Sequence, residues 1–96
     1  MISLKFEEVT FIAQKSTHTF YVDGTCHFDS TRIRDVQLIQ LSLSEPIKLY
    51  ESIFEIEVNG IVFECMNVTL SGNKVVGKIK RISSHMYTKE LIEKSH

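Results

Sequence analysis

The chain has no tryptophan, one proline, four glycines and two cysteines in 96 residues. So little Pro and Gly excludes collagen-like and low-complexity linker sequence. Cys26 and Cys65 stand far apart and outside any CxxC pattern. They therefore read as small apolar thiols on core-facing strands rather than as a disulfide or half of a zinc knuckle. No apolar run approaches the ~20 residues that cross a bilayer, and Met1-Ile2-Ser3-Leu4-Lys5 reads as a strand rather than the start of an export signal. A cytoplasmic protein is the expectation. Neither sign of charge dominates: the formal net charge is −1 and the pI near 6.4. That balance argues against nucleic acid as the partner, because counterion release needs concentrated Lys and Arg.

The local frames of familiar chemistry are also missing. There is no GxSxG elbow and no Gly-rich phosphate loop. Cys26 and His27 are neighbours on a predicted strand, where successive side chains face opposite ways, so they do not form a thiolate–imidazolium pair. His18, Cys26, His27, Cys65 and His85 are the groups open to a metal, and none shows ligand-pair spacing. The expectation is a protein that is not an enzyme and holds no metal or cofactor.

What is present is hydrophobic alternation. At 43% hydrophobic and 24% charged, with six Phe and three Tyr, residues 1–96 suit a single β-rich domain with a small core. Its clearest signal is Asn59-Gly60, a type I′ hairpin turn between alternating segments. Pairing around it sets Val58 against Ile61, Ile56 against Phe63 and Phe54 against Cys65, all on one face, with Glu55, Glu57, Val62 and Glu64 on the other. Gly72-Asn73 is a second two-residue turn, pairing Leu70 with Val75, Val68 with Gly77 and Met66 with Ile79. Residues 53–82 thus form a three-stranded meander.

Elsewhere the alternation keeps changing face. Apolar positions are even from Ile2 to Phe6 and odd from Val9 to Ala13, so Glu7-Glu8 marks a bulge or break. Phe20, Val22, Cys26 and Phe28 keep one alternation across Asp23-Gly24, which favours a strand bent at Gly24 over a hairpin turn there, with the hairpin as the alternative. Val36 to Leu43 switches once more and ends at Ser44-Glu45-Pro46, after which Ile47-Lys48-Leu49 is either a short edge strand or an irregular connection. Ser84 is placed to cap a short terminal helix, about 84–94, whose stripe is Met86, Tyr87 and Leu91. Repeatedly bent antiparallel strands close on themselves. The predicted class is all-β, mainly antiparallel: a small six- to seven-stranded barrel or roll with a short C-terminal helix.

Charge marks two candidate surfaces. Glu55, Glu57 and Glu64 share the wet side near the hairpin tip, and Lys74, Lys78 and Lys80 point outward from the last strand. The plain alternative is a solvated face whose cross-strand pairs each contribute about 0.2–1 kcal/mol. The functional reading is a bipolar surface that orients a partner protein. Arg32, Arg34 and Lys48 form a smaller basic group suited to an anion. Phe11, Phe20, Phe28, Phe54 and Phe63 fall on core faces. Tyr21, Tyr50 and Tyr87 face outward, too dispersed for a base-stacking platform.

Gln40-Leu41-Ser42-Leu43-Ser44-Glu45 and Val76-Gly77-Lys78-Ile79 faintly resemble the PilZ family of β-barrels, which bind cyclic dinucleotides, over about half the chain. Gln40 stands where that family has Asp or Asn, Glu45 where it has Gly, and Arg32-Ile33-Arg34 departs from its RxxxR spacing. The resemblance implies a barrel whose nucleotide site has been lost. Two functions follow as expectations. The first is a non-enzymatic protein-binding module, such as a small inhibitor, adaptor or assembly subunit of a microbe or phage, acting through an exposed sheet face or edge, with homodimerisation through an edge as one mode. The alternative is a PilZ- or OB-like barrel that binds a nucleotide or single-stranded nucleic acid through Arg32, Arg34 and Lys48.

Overall fold

The computed structural model describes residues 2–14, 16–28 and 37–84. Over these it contains β1 (Ile2–Phe6), β2 (Val9–Ala13), β3 (Thr17–Phe20), β4 (Gly24–Phe28), β5 (Leu38–Leu43), β6 (Ile53–Val58), β7 (Ile61–Ser71) and β8 (Lys74–Ser84). All pair antiparallel in one curled half-barrel sheet of order β1-β4-β5-β8-β7-β6-β2-β3. Eight strands stand where six or seven are predicted, because two long strands of the sequence reading are each split in two.

The split lies in the N-terminal ribbon. β1 pairs with β4, Ile2 opposite Phe28, and β2 pairs with β3, Val9 opposite Phe20. Residues 2–13 and 17–28 are thus two halves of one long hairpin, interrupted at Glu7-Glu8 on one strand and at residues 21–23 on the other. Its first half lies at one end of the sheet order and its second half at the other. Asp23-Gly24 is therefore not a hairpin turn, since β3 and β4 pair with different strands. Gly24 sits at the bend for lack of space: a Cβ there would lie 2.5 Å from Phe6 Cζ and 2.6 Å from the carbonyl oxygen of Ser42.

The meander β6-β7-β8 follows the predicted arithmetic for most of its length. Val58 faces Ile61, Ile56 faces Phe63 and Leu70 faces Val75. Asn59 and Gly60 both have positive φ, +52° and +79°, as a type I′ turn requires. At the second turn only Gly72 is positive, +61°, the sign pattern of a type II′ loop with Gly at its first central position.

Two expected placements, those of Phe54 and Met66, are corrected by bulges, each of which inserts one residue and turns the next side chain to the other face. Phe54 does not face Cys65. β2 pairs through Glu55 and then Ile53, so Ile53 takes the core position and Phe54 is exposed. Met66 pairs with Lys78 rather than Ile79, which faces Cys65, and the register shifts again before Thr69. The shift falls at Asn67, with φ +54°, a conformation that Asn tolerates better than most residues. Val68 then returns inward and fills the space beside Gly77, where a Cβ would stand 3.0 Å from Val68 Cγ2. Ser83 and Ser84 are the last residues of β8, opposite Val62 and Ile61, so Ser84 is a strand residue and not a helix cap. The rest of the predicted helix lies outside the described residues. Residues 47–49 form an irregular connection, with Ile47 and Leu49 packed against the core.

Inside the curl, Phe11, Phe28, Phe63, Ile39, Leu41, Ile56 and Val75 are essentially inaccessible, and no polar or charged residue among those described is buried. Phe28 on β4 meets Phe63 on β7 edge to face, centroids 4.9 Å apart. Those strands are not sheet neighbours, so the contact crosses the interior and holds the curl closed. Such a pair contributes about 0.5–1.5 kcal/mol beyond its buried area.

Gly24→Ala forces either the Phe6 ring or the β5 backbone to move, which should cost about 1–3 kcal/mol. Urea unfolding reads this as a lower midpoint at unchanged slope; a midpoint equal to wild type would show that the bend has spare room.

Candidate functional site

Three places among the described residues gather polar side chains. The first is the seam where the ends of the sheet approach. Asn59, at the tip of the β6–β7 turn, donates from Nδ2 to the carbonyl of Lys5 on β1 (2.9 Å). Beside it lies a shallow cleft of about 840 Å³ lined in part by Glu7, Glu8, Asp23, Glu57 and Lys5, with Tyr21 exposed at its mouth.

The second is a cluster that sequence reading did not bring together. Ser16 donates its hydroxyl to Glu51 Oε2, and His18 Nε2 lies 2.8 Å from Ser16 Oγ and 2.6 Å from Glu51 Oε2. The hydrogen bonds from Ser16 and His18 hold the Glu51 carboxyl below its ordinary range. Serine, imidazole and carboxylate meet here in the wrong order for nucleophilic catalysis. In a triad the carboxylate holds Nδ1 and leaves Nε2 to accept the serine proton, whereas here Ser16 gives its proton to the carboxylate and Nε2 faces both. The cluster instead clamps the start of β3 to the connection ahead of β6. Only the His18 end had any signal in the sequence, as an isolated imidazole; Glu51 is brought to it by the path of residues 44–52.

The third place is the outer surface of the sheet, whose residues follow from the register. One row across it reads Leu38, Lys78, Met66 and the next reads Gln40, Val76, Thr69. Leu38, Phe54, Met66 and Val76 are 42, 47, 45 and 38% exposed, values that place four large apolar side chains on solvent. The predicted charges frame them. Lys74, Lys78 and Lys80 are exposed, and Lys74 Nζ donates to Ser42 Oγ (2.9 Å). Glu55 faces Glu64 directly across the strand pair, Glu57 faces Val62, and all three carboxylates are half-buried. Glu64 is paired with Arg81, which sequence reading did not single out. The acids and the lysines therefore occupy different parts of one outer face. Lys48 is exposed on the 44–52 connection; Arg32 and Arg34, its predicted companions, lie outside the described residues, as do His85 and Tyr87.

Both cysteines are free and buried. Burial first, and then the charge of Cys65, pushes the Cys26 thiol up to about 12. Burial and then nearby Glu55 do the same for Cys65, also to about 12. Among the described residues no group of three or more His, Cys, Asp or Glu could hold a metal ion, and no helix is long and apolar enough to cross a membrane.

The fold defines a small antiparallel half-barrel with a dry core. No known protein family, curated protein or solved structure matches the chain.

Two outcomes follow. Because the folded-state pKa of Glu51 is depressed, its clamp contributes fully above the unfolded carboxylate pKa, about 4.3, and is lost as pH falls through the folded value. Glu51→Gln should be less stable than wild type at pH 6, and the gap should narrow as pH falls through that acidic interval, as thermal melts from pH 6 to pH 3 would show. For the thiols, Ellman's reagent at pH 8 should label neither Cys26 nor Cys65 in the native protein and both in urea, since the thiolate is the reactive form; rapid native labelling would contradict their burial.

Proposed function

We propose that this chain is a non-enzymatic protein-binding module that docks on a partner through the outer face of β5, β8, β7 and β6. The observation that supports the reading is the row Leu38, Lys78, Met66, with Val76 beside it and Phe54 nearby. Water covers apolar surface there that a purely solvated sheet face would fill with polar side chains. Contiguous apolar surface rimmed by charge is the usual mark of an interaction site. The flanking groups Glu55, Glu57, Glu64, Lys74, Lys78 and Lys80 supply the two signs of charge that orient an encounter and reject wrong partners.

The face is a better docking surface than the edges. β1 has its Lys5 carbonyl occupied by Asn59. β3 is four residues long and presents Thr17 and Thr19 to solvent; short polar edges are the form that resists strand addition. A module of this size in a cytoplasmic assembly would act as an inhibitor, an adaptor or a structural subunit.

Affinity capture from the native host with wild type and with Met66→Ser/Val76→Ser tests the proposal. Both positions lie on the outer face of paired strands, so the variant should stay folded and lose about 1–2 kcal/mol. A partner enriched by wild type and lost with the variant is expected. A chain that is strictly monomeric by light scattering and captures nothing above control would sink the reading.

A further inference from the structure

The character of the partner can be argued from the same face. We infer that it presents a short acidic-apolar segment, whose apolar side chain enters the groove where β6 and β7 part and whose carboxylates meet Lys78 and Lys80. This rests on the docking proposal above and deepens it.

The groove has a definite origin. Pairing between β6 and β7 stops at Glu55 opposite Glu64, because β6 turns toward β2 through Ile53 while β7 continues along β8. The parting leaves a recess of about 420 Å³ lined by Ile53, Phe54, Cys65, Met66, Val68 and Lys80 among others. That volume is within the range, about 300–1,000 Å³, of pockets that accept small ligands. Ile53, Phe54, Cys65, Met66 and Val68 give it an apolar lining, of which Phe54 and Met66 are exposed, and Ser52, Asn67 and Lys80 a polar one, so an apolar side chain flanked by polar groups is the fitting occupant.

Charge then sets the rest of the segment. No acidic residue lines the recess. Lys80 stands at its rim, displaced outward where the register shifts between Glu64 and Cys65. Lys78 lies one pleat away, about 7 Å along the strand, between Leu38 and Met66. Among the described residues neither lysine makes an ion pair or a hydrogen bond, while neighbouring Arg81 is taken by Glu64. On the opposite flank Glu64 holds that arginine, and Glu55 stands directly across the strand pair from Glu64. The surface thus runs from acidic at β6 to basic at β8, and a bound carboxylate is attracted to the lysine side only. A phosphate-bearing partner fits less well. Two lysines beside four apolar side chains, in a chain of net charge −1, lack the extended basic field and the guanidinium forks that nucleic acids and phosphates draw on.

Panning a random dodecapeptide phage library against the intact protein tests the segment directly. The expected consensus joins an aromatic or aliphatic residue to Asp or Glu within a few positions. Selected peptides, made synthetically, should bind at least tenfold more weakly to Lys78→Glu/Lys80→Glu and should shift the amide resonances of Phe54, Met66 and Lys80. A neutral or basic consensus that still maps to this face overturns the acidic segment and leaves the docking module standing. Tight binding of a single-stranded oligonucleotide or of phosphatidylserine vesicles, lost in the same double variant and without acidic peptides in the selection, overturns it in favour of a phosphate surface. If no peptide is selected and neither probe binds, the inference fails, and the capture experiment alone decides the module reading.

Discussion

The bend in the N-terminal ribbon is the constraint on which the rest of the structure depends. A flat ribbon of residues 2–28 would extend a sheet at one edge and leave its apolar side in water. Bent at Glu7-Glu8 and at residues 21–23, it reaches both ends of the strand order, so Phe28 and Phe11 come to line the same interior as Phe63. The bend needs Gly24, since any side chain there would collide with Phe6 and with β5 backbone. The missing Cβ therefore permits the close packing through which strands distant in the sheet share a core. At this chain length that sharing is decisive, because a small domain buries a modest fraction of its surface and has no second layer to spare.

Closure is reinforced at the turns. Asn59 supplies the left-handed conformation its hairpin needs and reaches β1 with its side chain. Asn73 donates from Nδ2 to the Leu43 carbonyl (3.0 Å), and its own carbonyl accepts the Leu43 N–H (2.8 Å). Each turn thus ties the meander to a strand of the ribbon or to β5. The Asn that suits a tight turn sterically also carries an amide long enough to satisfy the backbone where pairing ends.

The bulges connect this architecture to function. A sheet curled into a half-barrel requires strands that coil strongly, and each extra residue supplies coil while turning a side chain out of the core. Phe54, Met66 and Lys80 are outward at or beside such positions. The exposed apolar and basic face is thus a by-product of curvature, and the recess beside it exists because β6 leaves β7 to join β2. The interior, by contrast, is entirely apolar among the described residues, with the thiols of Cys26 and Cys65 kept protonated by burial. Among the described residues every polar and charged side chain reaches the surface.

Much of this was legible in the order of residues. Asn59-Gly60 and Gly72-Asn73 specify two hairpins because few residues tolerate positive φ, and a two-residue loop sets the register next to it. The all-β class, the inward Phe11, Phe28 and Phe63, and the outward lysines follow from period-two alternation. Sequence also marks where the strands change face, but not which residue is extruded at each change: alternation alone puts Phe54 and Met66 in the core, because a bulge shifts alternation by one and either neighbour can be the extra one. Tertiary structure decided that choice through packing, as Ile53 and Val68 fit the interior places. It alone brought Ser16, His18 and Glu51 together and set Glu64 beside Arg81, because contacts between distant segments depend on how the sheet curls. Local alternation carries the direction of a side chain and says nothing about which remote strand it will meet.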